Sequence, residues 1–257
     1  MTSVRDTALK RGVYKMGGIY EACASLLRHI PSDCGLCGER ARGGALCPPC
    51  QGSVTHSMRH GGARCGRCGL ALGGLAVCPD CSLRPPAFER VIAAFDYAYP
   101  GDVLIHHLKA GRRYASAGML AGLLHAAVRA AEPPLPDDTL LLPVPSSRAA
   151  VLQRGFNPAA EVARALARRL QLEYRPGLVL RRREGRRQAH LSRADRLRSV
   201  HALYHCPQPL QGAKVAVVDD VLTTGSTLHG MAAALKEAGA ATVTGLVLAR
   251  TPYSAHR

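Results

Sequence analysis

Short runs of apolar residues alternate with longer segments of helical periodicity over most of the chain after residue 88. The runs short enough to be strands are 91–97, 139–145, 178–182, 214–220 and 241–250. The segments with a helical pattern are 102–114, 115–131, 158–170 and 226–239, the last stopped by Gly239. Strands that alternate with helices predict an α/β fold, a parallel sheet flanked by helices.

Polar residues follow two of the most apolar predicted strands. Strand 139–145 leads into Ser146, Ser147 and Arg148, and strand 214–220 ends in the adjacent carboxylates Asp219 and Asp220. Ligands of open parallel sheets bind beyond the carboxyl ends of the strands. We therefore expect these two loops to share one rim of the sheet and to form a binding site there.

The loop after the two carboxylates is rich in hydroxyl groups and opens a predicted helix. It consists of Thr223, Thr224, Gly225, Ser226 and Thr227. Free backbone N–H groups and the dipole at a helix N-terminus favour a phosphate, which neighbouring carboxylates would repel. The acids are therefore expected to bind sugar hydroxyls, a divalent cation or both, so that the whole stretch fits a phosphorylated sugar. The alternative is ordinary capping of the helix by Thr or Ser.

Before residue 84 the pattern changes to a Gly-rich segment with few apolar residues. Eight of the ten cysteines form four Cys-x-x-Cys pairs there, and the unit C-x2-C-x9-C-x2-C occurs twice. Two such pairs complete a tetrahedral zinc site, and zinc would supply the folding free energy that the segment lacks. The predicted ligands of two structural Zn²⁺ ions are Cys34, Cys37, Cys47, Cys50, Cys65, Cys68, Cys78 and Cys81.

Other roles for the cysteines are less favoured. Disulfides do not suit a cytoplasmic chain, and four pairs in a Gly-rich segment do not resemble a thioredoxin helix. The equal spacings favour sequential pairing of the first pair with the second and the third with the fourth, and interleaved pairing stays open. Cys23 and Cys206 are expected to be buried apolar residues. His29, His56 and His60 lie nearby, but eight thiolates already fill two sites.

Charge adds a further expectation, since the chain of 257 residues carries a formal net charge of +16. Eight arginines lie between Arg181 and Arg198, a cluster that favours polyanions such as phosphates, pyrophosphate or nucleic acid. A solvated basic loop without a ligand is the alternative. The absence of Trp and the scarcity of other aromatic residues argue against a dedicated single-strand binder built on stacking platforms.

The sequence predicts no membrane span. No stretch reaches the roughly 18 apolar residues that a span requires. The N-terminus shows no continuous apolar core of a signal peptide, so a cytoplasmic location is expected.

The stretch AVVDDVLTTGSTLHGM (216–231) resembles the signature of type I phosphoribosyltransferases and lacks the G-x-x-x-x-G-K-[ST] pattern of a P-loop. This resemblance implies binding of phosphoribosyl pyrophosphate (PRPP) with Mg²⁺. It places the ribose hydroxyls on Asp219 and Asp220 and the 5′-phosphate in the loop 223–227. It also implies that Ser146, Ser147 and Arg148 form the pyrophosphate loop, although capping of a helix by either serine fits the same residues.

Further motifs extend the resemblance to residues 28–250. After the cysteines come RPPAFERVIAAFDY, LIHHLKAGRR, LLPVPSSRAAVLQRGFNPAAEVARALAR and RQAHLSRADRLRSV, and the chain is similar in this order to the ComF family. The family implies a double zinc ribbon (31–84) and a type I phosphoribosyltransferase-like domain (88–252), which an N-terminal helix or extension (1–30) is expected to precede. It also implies a link to DNA uptake in natural transformation.

The resemblance assigns further roles. The Arg-rich segment takes the place of a flexible loop that closes over PRPP, which implies that departing pyrophosphate is stabilised by Arg187, Gln188, Arg193 and Arg196. The family ends this segment with Asn where Ser199 stands here, which leaves that last position in doubt. Lys109 fits the family pattern but is expected to be a surface lysine of a helix. Arg154 and Asn157 match a family motif without a derived role.

Two functions follow from these expectations. The first is a PRPP-binding phosphoribosyltransferase-like protein that supports DNA uptake or a related nucleotide process, with phosphoribosyl transfer left open. The second is a non-catalytic adaptor that contacts single-stranded DNA or a partner competence ATPase or helicase, with a sensory or vestigial PRPP pocket. The acceptor is not identified: either the zinc ribbon and residues 91–115 cover the site, or there is no base acceptor.

Overall fold

A computed structural model describes residues 29–110, 114–182 and 203–253. Its strands are β1 (Pro31–Asp33), β2 (Arg40–Arg42), β3 (Arg90–Asp96), β4 (Leu140–Pro143), β5 (Glu173–Tyr174), β6 (Leu180–Arg181), β7 (Tyr204–His205), β8 (Lys214–Leu222) and β9 (Thr242–Arg250). Its helices are α1 (Pro48–His60), α2 (Pro79–Leu83), α3 (Gly101–Lys109), α4 (Tyr114–Arg129), α5 (Arg148–Arg154), α6 (Pro158–Leu170) and α7 (Ser226–Glu237).

Five of these strands form one parallel sheet in the order β3-β9-β8-β4-β5. The predicted α/β class with a parallel sheet is confirmed. The two strands that precede the polar loops, β4 and β8, are direct neighbours in the sheet. Their carboxyl ends therefore meet at the same rim, as the sequence pattern predicted.

Alternate residues of the strands face opposite sides of the sheet, and both sides are buried. On one side the core contains Ile92, Ala94, Leu141, Ala216, Val218, Leu246 and Leu248, covered by α3, α4 and α6. On the other side it contains Val91, Ala93, Leu142, Val215, Val217, Val243 and Val247, covered mainly by α7. Burial on both faces explains why these strands are continuous apolar runs rather than alternating ones.

The Cys-rich region packs onto both of these cores. Residues 31–60, called the first ribbon, contribute Leu46 and Val54 to the α3/α4/α6 side. Residues 64–83, called the second ribbon, contribute Leu70 to the α7 side. Each ribbon, poor in apolar residues itself, thus shares a core with the sheet.

The strand predicted at 178–182 is wrong as a member of the main sheet. Only β6 forms there, and it pairs with β7 in an antiparallel arrangement outside the main sheet. The apolar character of this segment comes from Leu178 and Val179, which are buried against the α7 side of the core without joining its strands. The edge strand β5 has two residues and is too short to leave a pattern in the sequence.

Within the ranges that the structure describes, none of the helices combines the length and apolar character that crossing a membrane requires.

Candidate functional site

The eight paired cysteines gather into two groups of four. One group holds Cys34, Cys37, Cys47 and Cys50, the other Cys65, Cys68, Cys78 and Cys81, and the sulfurs of each lie within 4.8 Å of one another. Individual separations are 3.6 Å for Cys37–Cys47, 3.6 Å for Cys68–Cys78 and 3.8 Å for Cys65–Cys81. Zn–S bonds of about 2.3 Å place the corners of a tetrahedron about 3.8 Å apart, so the cysteines fit zinc.

The grouping settles which pairs act together. The first Cys-x-x-Cys pair joins the second and the third joins the fourth, so the sequential pairing is confirmed and the interleaved one is excluded. All eight are free thiols rather than disulfides. Burial, and then the neighbouring Cys68, raises the pKa of the Cys81 thiol.

Local sequence explains why the pairs face each other. In both ribbons the second pair starts a helix: Cys47 and Cys78 are N-caps of α1 and α2, each followed by proline. Proline suits the first turn of a helix because its missing N–H has no intrahelical partner there. Among the described residues no His joins either group, and His56 instead stacks near His60 with ring centroids 4.8 Å apart. Cys206 is buried as predicted, and Cys23 lies outside the described residues.

The two acids lie at the carboxyl end of β8. Both are partly buried; Asp219 accepts a hydrogen bond from the backbone N–H of Asp220 (2.8 Å), and Asp220 accepts one from Val221 (2.7 Å). The ammonium group of Lys109 lies 3.0 Å from Oδ2 of Asp220. Burial, reinforced by the charge of Asp220, raises the pKa of Asp219 to about 8.

A polar cleft of about 280 Å³ opens at this rim of the sheet. Its walls bring together residues predicted from two separate loops: Ser146, Ser147, Asp219, Asp220 and Thr227. Arg148 is exposed at the start of α5 and is not part of the lining. Among the described residues no part of the zinc ribbon lines this cleft; from 91–115 the lining takes Lys109 alone.

The loop between β4 and α6 is held by capping interactions. The hydroxyl of Ser147 accepts a hydrogen bond from Ala150 N–H (3.2 Å) and caps α5, as the alternative interpretation predicted. Asn157 caps α6 by accepting from Ala159 N–H (3.1 Å), and its amide donates to the carbonyl of Val144 (2.9 Å). Asn157 therefore ties the cleft loop to the helix behind it. Arg154 also lines the cleft.

The loop 223–227 leads directly into α7, as predicted. Gly225 is the N-cap with φ +77°, and no side chain caps this helix. The hydroxyls of Thr224 and Ser226 lie 2.9 Å apart at the surface. Thr227 faces the cleft, whereas Thr224, Gly225 and Ser226 line a second cavity on the side of the second ribbon. First-turn N–H groups without a capping side chain are suited to an anion.

The predicted arginine-rich residues Arg187, Gln188, Arg193 and Arg196 lie outside the described residues. The ends of their segment do lie within them. Arg182 N–H donates to the carbonyl of Leu203 (2.8 Å), and Arg181 and Tyr204 both line the cleft. The described residues on either side of the segment thus lie at the wall of the cleft.

Known proteins resemble both parts of the chain. The double zinc ribbon domain matches residues 26–82 and the phosphoribosyl transferase domain matches residues 149–256. The DNA utilization protein YhgH of Escherichia coli is 34% identical over 223 residues, which cover 85% of this chain and 90% of the relative. Competence protein F of Haemophilus influenzae is 30% identical over 161 residues, which cover 60% of this chain and 69% of the relative. The chain belongs to the ComF family.

Solved hypoxanthine phosphoribosyltransferases align with 61% of this ComF-family chain at 16% identity and a TM-score of 0.31. These values are too low to carry an argument about the site. The two four-cysteine groups and the parallel sheet described above agree with the two matched domains.

Two residues of this ComF-family protein have a larger role in the geometry than the sequence indicated. Lys109 does not lie on an open helix surface but pairs with Asp220 in the cleft. Arg250, at the end of β9, is buried with 2% of its surface exposed and contacts both the second ribbon and the loop 223–227. The signal in the sequence that could have identified Arg250 is a single arginine at the end of an otherwise uncharged strand.

Proposed function

We propose that this protein binds PRPP together with Mg²⁺ and serves DNA uptake or a related nucleotide process. The observation that carries the proposal is the meeting of the acid pair, Thr227 at the start of α7 and the β4–α5 loop in one cleft at the rim of the sheet. The match to the phosphoribosyl transferase domain and the names of the relatives support it.

The proposed roles divide the ligand among the loops. Asp219 and Asp220 bind the ribose hydroxyls, for which their carboxyl oxygens are hydrogen-bond acceptors. Residues 223–227 bind the 5′-phosphate through N–H groups of the first turn of α7. Pyrophosphate lies toward Ser146, Ser147 and Arg148. Mg²⁺ neutralises part of the pyrophosphate charge when it is bound.

The same arrangement suits phosphoribosyl transfer. In that step the bond between ribose C1 and the pyrophosphate oxygen breaks, pyrophosphate leaves with the electron pair, and an acceptor bonds to C1 of an oxocarbenium-like transition state. Cationic side chains stabilise the charge that develops on the leaving group. We propose this task for Arg187, Arg193 and Arg196, with Gln188 as a neutral hydrogen-bond donor to the same group. Arg181 and Tyr204, described on either side of these residues, line the cleft.

Calorimetric titration with PRPP and Mg²⁺ tests the proposal. Asp220→Asn should weaken PRPP binding by about tenfold or more, because it removes an ionised acceptor for a ribose hydroxyl. Asp138→Asn is the matched control: Asp138 also pairs with a lysine, Lys214 at 3.0 Å, but lies at the other end of the strands. Wild-type protein that takes up no PRPP, or equal affinity in both variants, would contradict the assignment. Release of pyrophosphate, followed with and without candidate bases and single-stranded DNA, then tests transfer.

A second candidate function is an adaptor that contacts single-stranded DNA or a partner ATPase. The net charge of +16 and the arginine cluster favour contact with a polyanion. DNA binding by this route weakens with salt, with a log–log slope of roughly 0.7 per phosphate neutralised on a single strand. Changing Arg186, Arg187, Arg193 and Arg196 to Ala should flatten the slope, and an unchanged slope would exclude the segment from the interface.

A further inference from the structure

Arg250 connects three parts of the molecule at once. It projects from the end of β9, and its side chain is 3% exposed. One edge of its guanidinium group points to the end of β8 and the loop 223–227. Nη1 donates to the carbonyls of Leu222 (3.2 Å) and Thr223 (2.7 Å). A buried guanidinium is stable only when its donors are satisfied, so these carbonyls are held at fixed positions.

The other edge of the guanidinium group points to the second ribbon. Nε donates to the carbonyl of Cys68 (3.1 Å) and Nη2 to Oδ2 of Asp80 (2.7 Å). Nη2 also lies 3.8 Å from the sulfur of Cys68. Cys68 is one of the four cysteines of that ribbon, and Asp80 lies between two others, Cys78 and Cys81. The residues that accept hydrogen bonds from Arg250 on this side therefore lie in the same two Cys-x-x-Cys segments that would hold zinc.

Further contacts join the ribbon side to the start of α7. The backbone N–H of Ala87 donates to Nδ1 of His229 (3.0 Å), and Phe88 is buried beside Gly225. A cavity of about 60 Å³ separates Cys81 and Asp80 from Thr224 and Ser226. The loop 223–227 thus faces the second ribbon across this cavity, and Arg250 and the residues that follow the ribbon connect the two.

A second arginine provides a comparison within the same chain. Arg64 of the second ribbon makes a two-bond ion pair with Asp96 of β3 at 2.9 and 2.7 Å. Both partners are largely buried, with side chains 14% and 12% exposed. This pair also fixes the ribbon to the sheet, but none of the recorded contacts of Arg64 reaches the loop 223–227.

We propose that Arg250 is a positioning residue through which the second ribbon fixes the phosphate loop. Zinc in the second ribbon and phosphate at the loop then stabilise each other's binding, because coupling between two sites acts equally in both directions. The first ribbon has no part in this coupling. The mutual stabilisation of zinc and phosphate, called the ligand half of the inference, rests on the proposed binding of PRPP. The fixing of the loop 223–227 by Arg250, called the loop half, concerns the free protein.

The loop half is tested by amide hydrogen exchange in the absence of ligand. Asp80→Ala removes a ribbon partner of Arg250, and Asp96→Ala removes the comparable partner of Arg64. The peptide covering 221–229 should exchange about tenfold faster in Asp80→Ala, a size typical of coupling between sites, and at the parental rate in Asp96→Ala. Equal exchange in both variants would overturn the role of Arg250.

The ligand half is tested by zinc release to a chromogenic chelator from the full chain. With PRPP and Mg²⁺ present, removing one of the two zinc equivalents at equilibrium should require about tenfold more free chelator, and removing the other should require an unchanged amount. Asp80→Ala should abolish this protection and Asp96→Ala should keep it. Protection of both equivalents or of neither, in protein that measurably binds PRPP, would overturn the coupling. Wild-type protein without PRPP binding would refute the proposed function, and hydrogen exchange would then decide the loop half alone.

Discussion

Two adjacent carboxylates at the end of a buried strand are costly to the free protein. Asp219 is affected most: burial and the charge of Asp220 raise its pKa to about 8. The folded protein therefore keeps a proton on Asp219 at pH values where an unfolded aspartate, with a pKa near 3.8, has lost it. Binding of this proton stabilises the folded state at acidic pH, and the stabilisation is lost as the pH rises from 3.8 to about 8.

Asp219→Asn should remove the loss of folding stability that Asp219 causes as the pH rises. The variant should be more stable than the parent at pH 8 by on the order of 1 kcal/mol, and the difference should shrink toward pH 4. Urea unfolding at both pH values measures it. Asp138→Asn should show no gain in stability at pH 8, because the hydrogen bond from Lys214 lowers the pKa of the Asp138 carboxyl in the parent. A gain from Asp219→Asn that is no larger at pH 8 than at pH 4 would be incompatible with a buried, proton-binding Asp219.

Lys109 offsets part of the same charge from a different element. Its ammonium lies 3.0 Å from Asp220 in a cleft proposed to receive a polyanion. Lys109→Met should weaken PRPP binding about tenfold, which corresponds to about 1.4 kcal/mol, because it leaves the carboxylate of Asp220 without its cationic partner beside an anionic ligand. Calorimetry should show a much smaller effect for Lys214→Met, since Lys214 also pairs with an aspartate, but away from the cleft. Equal losses in the two variants would assign the effect to net charge alone.

At this scale the sequence identified residues that are close neighbours along the chain. Asp219, Asp220 and the loop 223–227 form one continuous motif, so their placement follows from one strand and the start of one helix. Lys109 and Arg250 were undervalued because their partners are distant in sequence: Asp220 for Lys109, and Cys68 and Asp80 for Arg250. Nothing in a linear pattern distinguishes a lysine at a helix end from one that enters a cleft.

Among the elements, the start of α7 depends most on a single residue. Gly225 has φ +77°, a conformation that costs other residues roughly 1–2 kcal/mol. The space is open enough for a methyl group, since the nearest atoms to an added Cβ would be 3.9 Å away. The conformation rather than the packing therefore requires glycine here.

Gly225→Ala should weaken PRPP binding and Gly225→Asn should do so less, because Asn tolerates the left-handed region better. Calorimetry and thermal unfolding of the same samples measure affinity and stability together. Gly239→Ala is the matched control: Gly239 has φ +95° just beyond the other end of α7, and its Cβ would also find ordinary contact distances. That control should lower stability with unchanged affinity. Loss of affinity in both variants would point to general destabilisation of the helix.

Most elements of the sheet were predictable because each is a long apolar run between clear breaks. β8 and β9 match their predicted positions within two residues at either end. The segment 178–182 was misassigned because burial alone makes a run apolar, whether or not its backbone joins the sheet. The shared rim of β4 and β8 followed from the rule for parallel sheets, whereas the strand order and the packing of the ribbons could not be derived from the sequence pattern.

At the scale of the whole molecule, the ribbons and the sheet share both hydrophobic cores. Cys34, Leu46, Cys47 and Val54 belong to the core on the α3/α4/α6 side, and Cys68, Leu70 and Cys78 belong to the core on the α7 side. Two ion pairs of the second ribbon, Arg64–Asp96 and Arg250–Asp80, reinforce its contact with the sheet. The zinc ribbon is thus an integral part of the core rather than an appendage to it.

Removal of zinc should therefore destabilise the entire molecule in one cooperative transition. A ligand present at 1,000 times its dissociation constant stabilises the folded state by about 4 kcal/mol, and a loss of that size lowers the melting temperature of a chain of this length by about 10 °C. Differential scanning calorimetry with and without a strong zinc chelator measures the shift. Cys50→Ser and Cys81→Ser, which each alter one of the two four-cysteine groups, should both lower the melting temperature and keep a single peak. Two separate peaks, one of them unchanged by the chelator, would show instead that the sheet folds independently of the ribbons.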